Sequence, residues 1–249
     1  MSPPHILPEE DYNKPLHTRP FCFNYDETLE ISFFFNPREA AIFKIQEYKA
    51  QAGSEYSGCI EVSYCHFNEM ALDGVCAVAE DFQDPYEAAN EALKAFDIED
   101  EILIGRYAFK DFEVHAEEVK VGKQIKGAYV VPDYQESGIS SFVYKHLTKK
   151  YGLLICDNYQ TYMGHMLWVL SILKWGIIKV YDCVEKKFIG DVEYKDCPAN
   201  LKPWSIPFNF PMQNEKYLRL DMCVRTDTQF HNIVLVVEFY TSLRSRNKY

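Results

Sequence analysis

Lys126-Gly-Ala-Tyr-Val-Val-Pro132 runs into Asp133-Tyr-Gln-Glu-Ser-Gly-Ile-Ser-Ser141, and that stretch leads through Phe142 to Lys150 into Tyr151-Gly-Leu-Leu-Ile-Cys-Asp-Asn158. The apolar run Ala128 to Val131 stops at Pro132. After a polar turn, Ile139, Phe142, Val143 and Leu147 recur at spacings of three and four, the period of a helix face. A second apolar run, Leu153 to Ile155, ends at Asp157-Asn158. The reading is strand, tight turn, helix, strand.

The turn is where chemistry is expected. Gly138 and the small Ser137, Ser140 and Ser141 let backbone approach a ligand. The first N–H groups of a helix lack intrahelical acceptors and carry the positive end of its dipole, so such a turn suits an anion.

Gln135-Glu136-Ser137-Gly138-Ile139-Ser140 resembles the Gln/Arg-x-x-Gly-x-Gly/Ala signature of the GCN5-related N-acetyltransferase superfamily, which cradles the pyrophosphate of acetyl-coenzyme A. The order downstream resembles the family too: a strand ending in Cys156-Asp157-Asn158, a segment with Leu167-Trp168, then the strand Ile177 to Tyr181. The combination of Asp157-Asn158, Gln160-Thr161 and Gly164 is reminiscent of phage-encoded members. The resemblance implies an α/β (α+β) fold with a mixed, mostly antiparallel central sheet that splays after the strand at Ala128. It implies an acetyl-CoA-dependent N-acetyltransferase acting on an amine of a small molecule or protein.

By the same resemblance, the cofactor-binding residues are Val130, Val131, Gln135, Glu136, Ser137, Gly138, Ile139, Ser140, Ser141 and Asn158. The backbone at Val130 and Val131 is expected to polarise the thioester, and Asn158 to orient the pantetheine arm or cap the following helix. The catalytic candidates are Glu113 or His115 as base, which share a strand face by alternation, and Tyr159 or Tyr162 as acid. Three departures stand out: Ser140 at the last small position, an acid at Glu136, and Trp168 where many members carry the tyrosine acid. They raise the alternative of an inactive, acetyltransferase-like acidic protein that binds a host protein.

Charge is uneven. Residues 1 to 120 hold 25 acids and 9 bases, and residues 121 to 249 hold 12 acids and 17 bases. An acidic half is expected to receive a cation, either a substrate amine or a basic protein surface, and the basic half to hold phosphates. A net charge of −11 argues against nucleic acid as a partner. No apolar run reaches the length of a membrane span, and the start of the chain lacks the basic then apolar pattern of a signal peptide, so a cytoplasmic location is expected, that of a host if the chain is phage-encoded. The 8 cysteines include no Cys-x-x-Cys pair, and His146 and His165 have no second ligand at metal spacing, so no metal is assigned. A homodimer is compatible with all of this.

Along the chain, residues 1–20 are expected to form an irregular arm, 21–196 the acetyltransferase-like domain, and 197–249 a proline- and aromatic-rich bridge with a closing hairpin packed on the same domain. Pro37 to Ala52, with Asn36 as cap, reads as a helix. Ser57 to Phe67 and Met70 to Ala79 read as strands, and Asp84-Pro85-Tyr86-Glu87 opens a helix ending near Asp97. The region from about 70 to 101 is expected to be an insertion shaping a substrate site. Two antiparallel strands, Ile102 to Phe112 and Val114 to Val121, lead to Ala128. A helix is expected from Tyr159, a hairpin over Tyr181 to Asp196, and a final hairpin of Tyr217 to Arg225 with Ile233 to Tyr240.

Overall fold

The structure, a computed structural model, describes residues 4–8, 11–12, 16–192, 202–227 and 232–240. The chain divides into two compact units. One comprises Pro15–Lys110 and Gly127–Ile139, the other Met1–Lys14, Asp111–Lys126 and Ser140–Tyr249. The first described strand, β1 (His5–Leu7), belongs to the second of these.

The first unit is built on an antiparallel meander of β2 (Phe23–Asn36), β3 (Ala41–Ala50), β4 (Gly58–His66) and β5 (Asp100–His115), in register at Ser32↔Ile45, Ile45↔Val62 and Val62↔Gly105. Between β4 and β5 stand helices α1 (Glu69–Glu80) and α2 (Pro85–Ala95). Asp84 starts α2 as the sequence indicates, its Oδ1 accepting from the N–H groups of Tyr86 and Glu87 at 2.9 and 3.1 Å, with proline in the first turn. The helices bury Val75 and Ala79 of α1 and Ala88, Ala89 and Ala92 of α2 against Phe35, Ile42 and Cys65 of the strands. Small side chains permit that close approach, and a methyl group at Gly74 would meet the Phe96 ring at 2.5 Å.

The second unit carries most of β6 (Val119–Val130), then α3 (Ile139–Tyr151) and β7 (Leu154–Ile155). It continues with β8 (Tyr159–Thr161), α4 (Tyr162–Met166), a π-helical turn over Leu167–Ser171, and the hairpin of β9 (Gly176–Asp182) and β10 (Lys187–Val192). The last strands are β11 (Trp204–Ile206), β12 (Cys223–Arg225) and β13 (Ile233–Phe239). β13 lies antiparallel between β7 and β9. A separate four-stranded sheet, β12-β11-β1-β8, is parallel throughout. The long sheet runs β10-β9-β13-β7-β6-β5-β4-β3-β2. The fold is thus mixed α+β with a large, mostly antiparallel sheet, as expected.

Several element expectations are corrected. Pro37 to Ala52 is not a helix: Pro37–Ala40 is a turn, Ala40 has φ 47°, and Ala41–Ala50 is β3. Both faces of β3 are largely covered, so its apolar residues do not alternate cleanly and imitate helical spacing. Met70 to Ala79 is helix α1 rather than strand, begun by Asn68, whose side chain accepts from the Ala71 N–H at 2.8 Å. Tyr159 starts a strand, not a helix. Tyr217 to Arg225 is strand only over Cys223–Arg225 and pairs with β11, so it forms no hairpin with β13. The arm is not wholly irregular, since β1 pairs on both sides and Ile6 is fully buried. The β9–β10 hairpin is as expected through Val192, its turn fixed by Asp182 Oδ1 accepting from the N–H groups of Val184 and Glu185. Residues 193–201, 228–231 and 241–249, parts of the two expected hairpins and of the 197–249 segment, lie outside the described residues.

Candidate functional site

Within the first unit, the end of β6 leads into the turn that the sequence singles out. Val131 N–H donates to Ile104 O at 2.8 Å, so it is already used within the sheet rather than offered to a ligand. Pro132–Tyr134 make one 3-10 turn. Gln135 folds back, its Nε2 donating to Val130 O at 3.3 Å. Glu136 (φ 67°) and Gly138 (φ 87°) are both left-handed. That conformation is free for glycine and costs other residues about 1 kcal/mol or more, so Glu136 is held there by its surroundings. Its side chain is exposed, which keeps the carboxylate in water.

The last residue of β2 and one residue of the β2–β3 connection hold the turn. Arg38 Nη1 donates to Glu136 O at 2.9 Å, and Asn36 Nδ2 donates to Ser137 O at 3.0 Å. Asn36 Oδ1 also accepts from the Arg38 N–H, so one asparagine orders both partners. Ser137, 5% exposed, closes the loop by donating its hydroxyl to Tyr134 O at 2.6 Å. The carbonyls of Glu136 and Ser137 are thereby occupied. A Cβ built on Gly138 would lie 4.0 Å from Arg38 Nη1, so a guanidinium stands beside the glycine. An anion seated here would meet that charge together with the N–H groups of a starting helix.

Sequence reasoning missed Arg38 and Asn36, because they were assigned to a helix start 98 and 101 residues away from the groups they bind. Nothing in local spacing reveals such a contact.

Within the second unit, α3 joins two parallel strands. β6 pairs with β7 only at Lys123↔Leu154 and Gln124↔Ile155. Past that point, side chains tie the end of β7. Gln124 Nε2 donates to Cys156 O and to Asn158 Oδ1, both at 3.1 Å. Lys126 Nζ lies 2.8 Å from Asp157 Oδ1, which also accepts from the Asn158 N–H. Gln124 thus fixes the Asn158 amide with its oxygen inward and its NH2 turned to donate. Gly122 permits the pairing: a methyl group there would meet Leu153 Cβ at 2.7 Å and Ile155 Cδ1 at 2.6 Å. Lys126 and Gln124 were not anticipated either, as both sit in an ordinary strand pattern. Ser140 and Ser141 are half-buried, and Ser141 Oγ accepts from Trp175 Nε1 at 3.4 Å.

The catalytic candidates are placed as follows. Glu113 and His115 do share a face, with Oε2 and Nε2 3.4 Å apart, and the His115 N–H donates to Tyr181 Oη at 3.0 Å. They stand beside the hairpin turn at Ala116–Glu118, where Ala116 N–H donates to Glu118 O. Along β6, Val130 is eleven residues from the start of the strand at Val119, about 36 Å of extended chain. Tyr159, half-buried in β8, is opposite His5. Tyr162 stacks on Tyr217 with ring centroids 5.3 Å apart. Trp168 is 2% exposed and packs edge-on to Tyr144. No described helix is long and apolar enough to cross a membrane.

Compared with family models, with curated proteins and with solved structures, the chain matches none.

Proposed function

We propose that the chain binds acetyl-coenzyme A through the Gln135 to Ser141 turn and transfers the acetyl group to an amine, as the resemblance to GCN5-related N-acetyltransferases implies. The observation that carries this reading is the turn itself. It is glycine-permitted at Gly138, pinned by Asn36, flanked by the Arg38 guanidinium, and it opens the helix that joins the parallel strands β6 and β7. The strand–turn–helix–strand order, the mostly antiparallel sheet and the brief β6–β7 pairing support the same reading. Asn158, aimed by Gln124, is suited to donate to an amide carbonyl of the pantetheine arm. The roles of Glu113 or His115 as base and Tyr159 or Tyr162 as acid rest on the resemblance alone.

A second reading, coenzyme or partner binding without transfer, is favoured by one pair of observations. Val131 N–H is committed to Ile104 O, and the position matched to the family's tyrosine acid is the buried Trp168. Mixing the protein with acetyl-coenzyme A and a panel of amines, and following free thiol, separates the two. Thiol release that depends on an amine supports transfer, and binding without release supports the scaffold.

Two variants test the turn. Arg38→Ala should weaken acetyl-coenzyme A by about tenfold or more, the value of a charge-assisted contact to phosphate of roughly 1.5–3 kcal/mol, with thermal stability nearly unchanged because Arg38 is exposed. Gly138→Glu should abolish binding. It forces a non-glycine residue to φ 87° and sets a carboxylate against the phosphates. The backbone cost of about 1–2 kcal/mol leaves the protein folded, as circular dichroism should show. Unchanged affinity in that variant removes the turn as the binding site.

A further inference from the structure

The first unit contains a built cation site that the coenzyme reading does not use. Tyr25 of β2, Tyr48 of β3 and Glu61 of β4 surround one guanidinium, that of Arg19, which comes from the irregular segment before β2. Its carbon lies 3.7 Å from the Tyr25 ring centroid and 5.6 Å from that of Tyr48. Its Nε and Nη2 donate to Glu61 Oε1 and Oε2 at 3.2 and 2.8 Å, and Nη2 reaches Tyr48 Oη at 3.4 Å. A planar cation stacked on one ring and forked onto a carboxylate is what an arginine-recognition site presents.

The host and the guest differ. The Glu61 side chain is 7% exposed and is aimed by Arg106, whose Nε donates to Oε1 at 2.7 Å. The Arg19 side chain is 48% exposed. The host residues come from three paired strands, while the guest lies on a segment with no regular structure. That segment is held by backbone contacts of its own: Arg106 Nη1 donates to Leu16 O and His17 O, and Leu16 packs with Phe23, Cys59 and Ala108. The Tyr25 hydroxyl is buried with no hydrogen-bond partner in the presence of Arg19, so the guest leaves one polar group of the host unused.

We propose that Tyr25, Tyr48 and Glu61 form a binding site for an external alkylguanidinium group, and that Arg19 occupies it in cis as an internal stand-in. The excess of acids over bases in residues 1–120 favours approach of such a cation. An ammonium fits less well, because it is a compact, strongly hydrated charge that neither stacks flat nor forks onto both carboxylate oxygens. The proposal stands independently of coenzyme binding.

The test empties the site. Arg19→Ala and wild type are titrated with agmatine, with N-acetylarginine amide, and with putrescine, which replaces the guanidinium of agmatine by an amine. The variant is expected to bind agmatine at least tenfold more tightly than wild type, and putrescine at least tenfold more weakly than agmatine. Adding Tyr25→Leu, which leaves the Glu61 and Arg106 pair intact, is expected to remove the gain. A matching gain for N-acetylarginine amide assigns an arginine side chain as ligand, and a gain for agmatine alone assigns a small alkylguanidine. Arg19→Met, which keeps the aliphatic stem, replaces Arg19→Ala if that variant does not fold. Equal affinity of variant and wild type for agmatine, or equal affinity of the variant for agmatine and putrescine, overturns the proposal and leaves Arg19 as a fold-holding ion pair.

Discussion

Glu61→Leu is expected to destabilise the protein by about 3–5 kcal/mol, the cost of removing one partner from a buried ion pair. Arg106 is 6% exposed and loses its carboxylate acceptor, keeping the carbonyls of Leu16 and His17. Arg19 loses the same acceptor but is half-exposed and can turn to water. The penalty therefore comes from Arg106, a charge held in a dry site. Urea denaturation should show the midpoint falling with little change in slope. The control is Lys187→Ala, which removes a pair with Glu185 in which both side chains are 61% exposed, and should cost under about 0.5 kcal/mol. A loss below about 1 kcal/mol for Glu61→Leu would mean that Arg106 finds water or another acceptor.

His165 should make the fold acid-sensitive. Its side chain is fully buried, Nε2 accepts from the Arg219 N–H at 3.2 Å, and the ring stands edge-on to Trp204 at 4.5 Å. Burial, assisted by the nearby Arg219 charge and opposed by Asp221, pushes its pKa down to about 3. The unfolded chain binds a proton here below the usual value near 6.5 and the folded chain does not until about 3. The stabilisation is therefore complete above pH 6.5 and is lost as pH falls from 6.5 towards 3, on the order of 4 kcal/mol over the whole window. His165→Gln keeps an acceptor for the Arg219 N–H but cannot titrate. Between pH 6.5 and 4.5, wild type should lose roughly 2–3 kcal/mol more than the variant, read by urea denaturation at both values. Equal losses would show that His165 is protonated, or hydrated, in the folded state.

How much of this was legible in the sequence depended on where each contact is made. Helix α2 was legible because its start is local: Asp84, Pro85 and Glu87 sit within four residues. The α3 turn was legible because a glycine, small residues and the two flanking apolar runs share one stretch. β3 was not, since a strand covered on both faces loses the alternation that marks strands, and Asn36 and Pro37 imitate a helix start. Asn36 spends its side chain on the Ser137 carbonyl and the Arg38 N–H instead. The three-residue strands β1, β11 and β12 carry too few residues for any period to show. His5 shows the consequence, being 3% exposed and hydrogen-bonded to Ser205 across 200 residues.

The site divides in the same way. Gln135 to Ser141 could be proposed from spacing, but Arg38, which holds the Glu136 carbonyl, could not, nor could Gln124 and Lys126, which tie Cys156 to Asn158. Their partners come from another strand connection or from the far side of a crossover. Glu113 and His115 were paired correctly by alternation, yet alternation says nothing of which end of the neighbouring strand they reach.

Calorimetric titration of the purified protein with acetyl-coenzyme A, run beside Gly138→Glu, tests the central claim most directly. The account predicts micromolar binding at one site per chain and none in the variant. Absence of binding by wild type at millimolar coenzyme, or equal binding by both proteins, would contradict it.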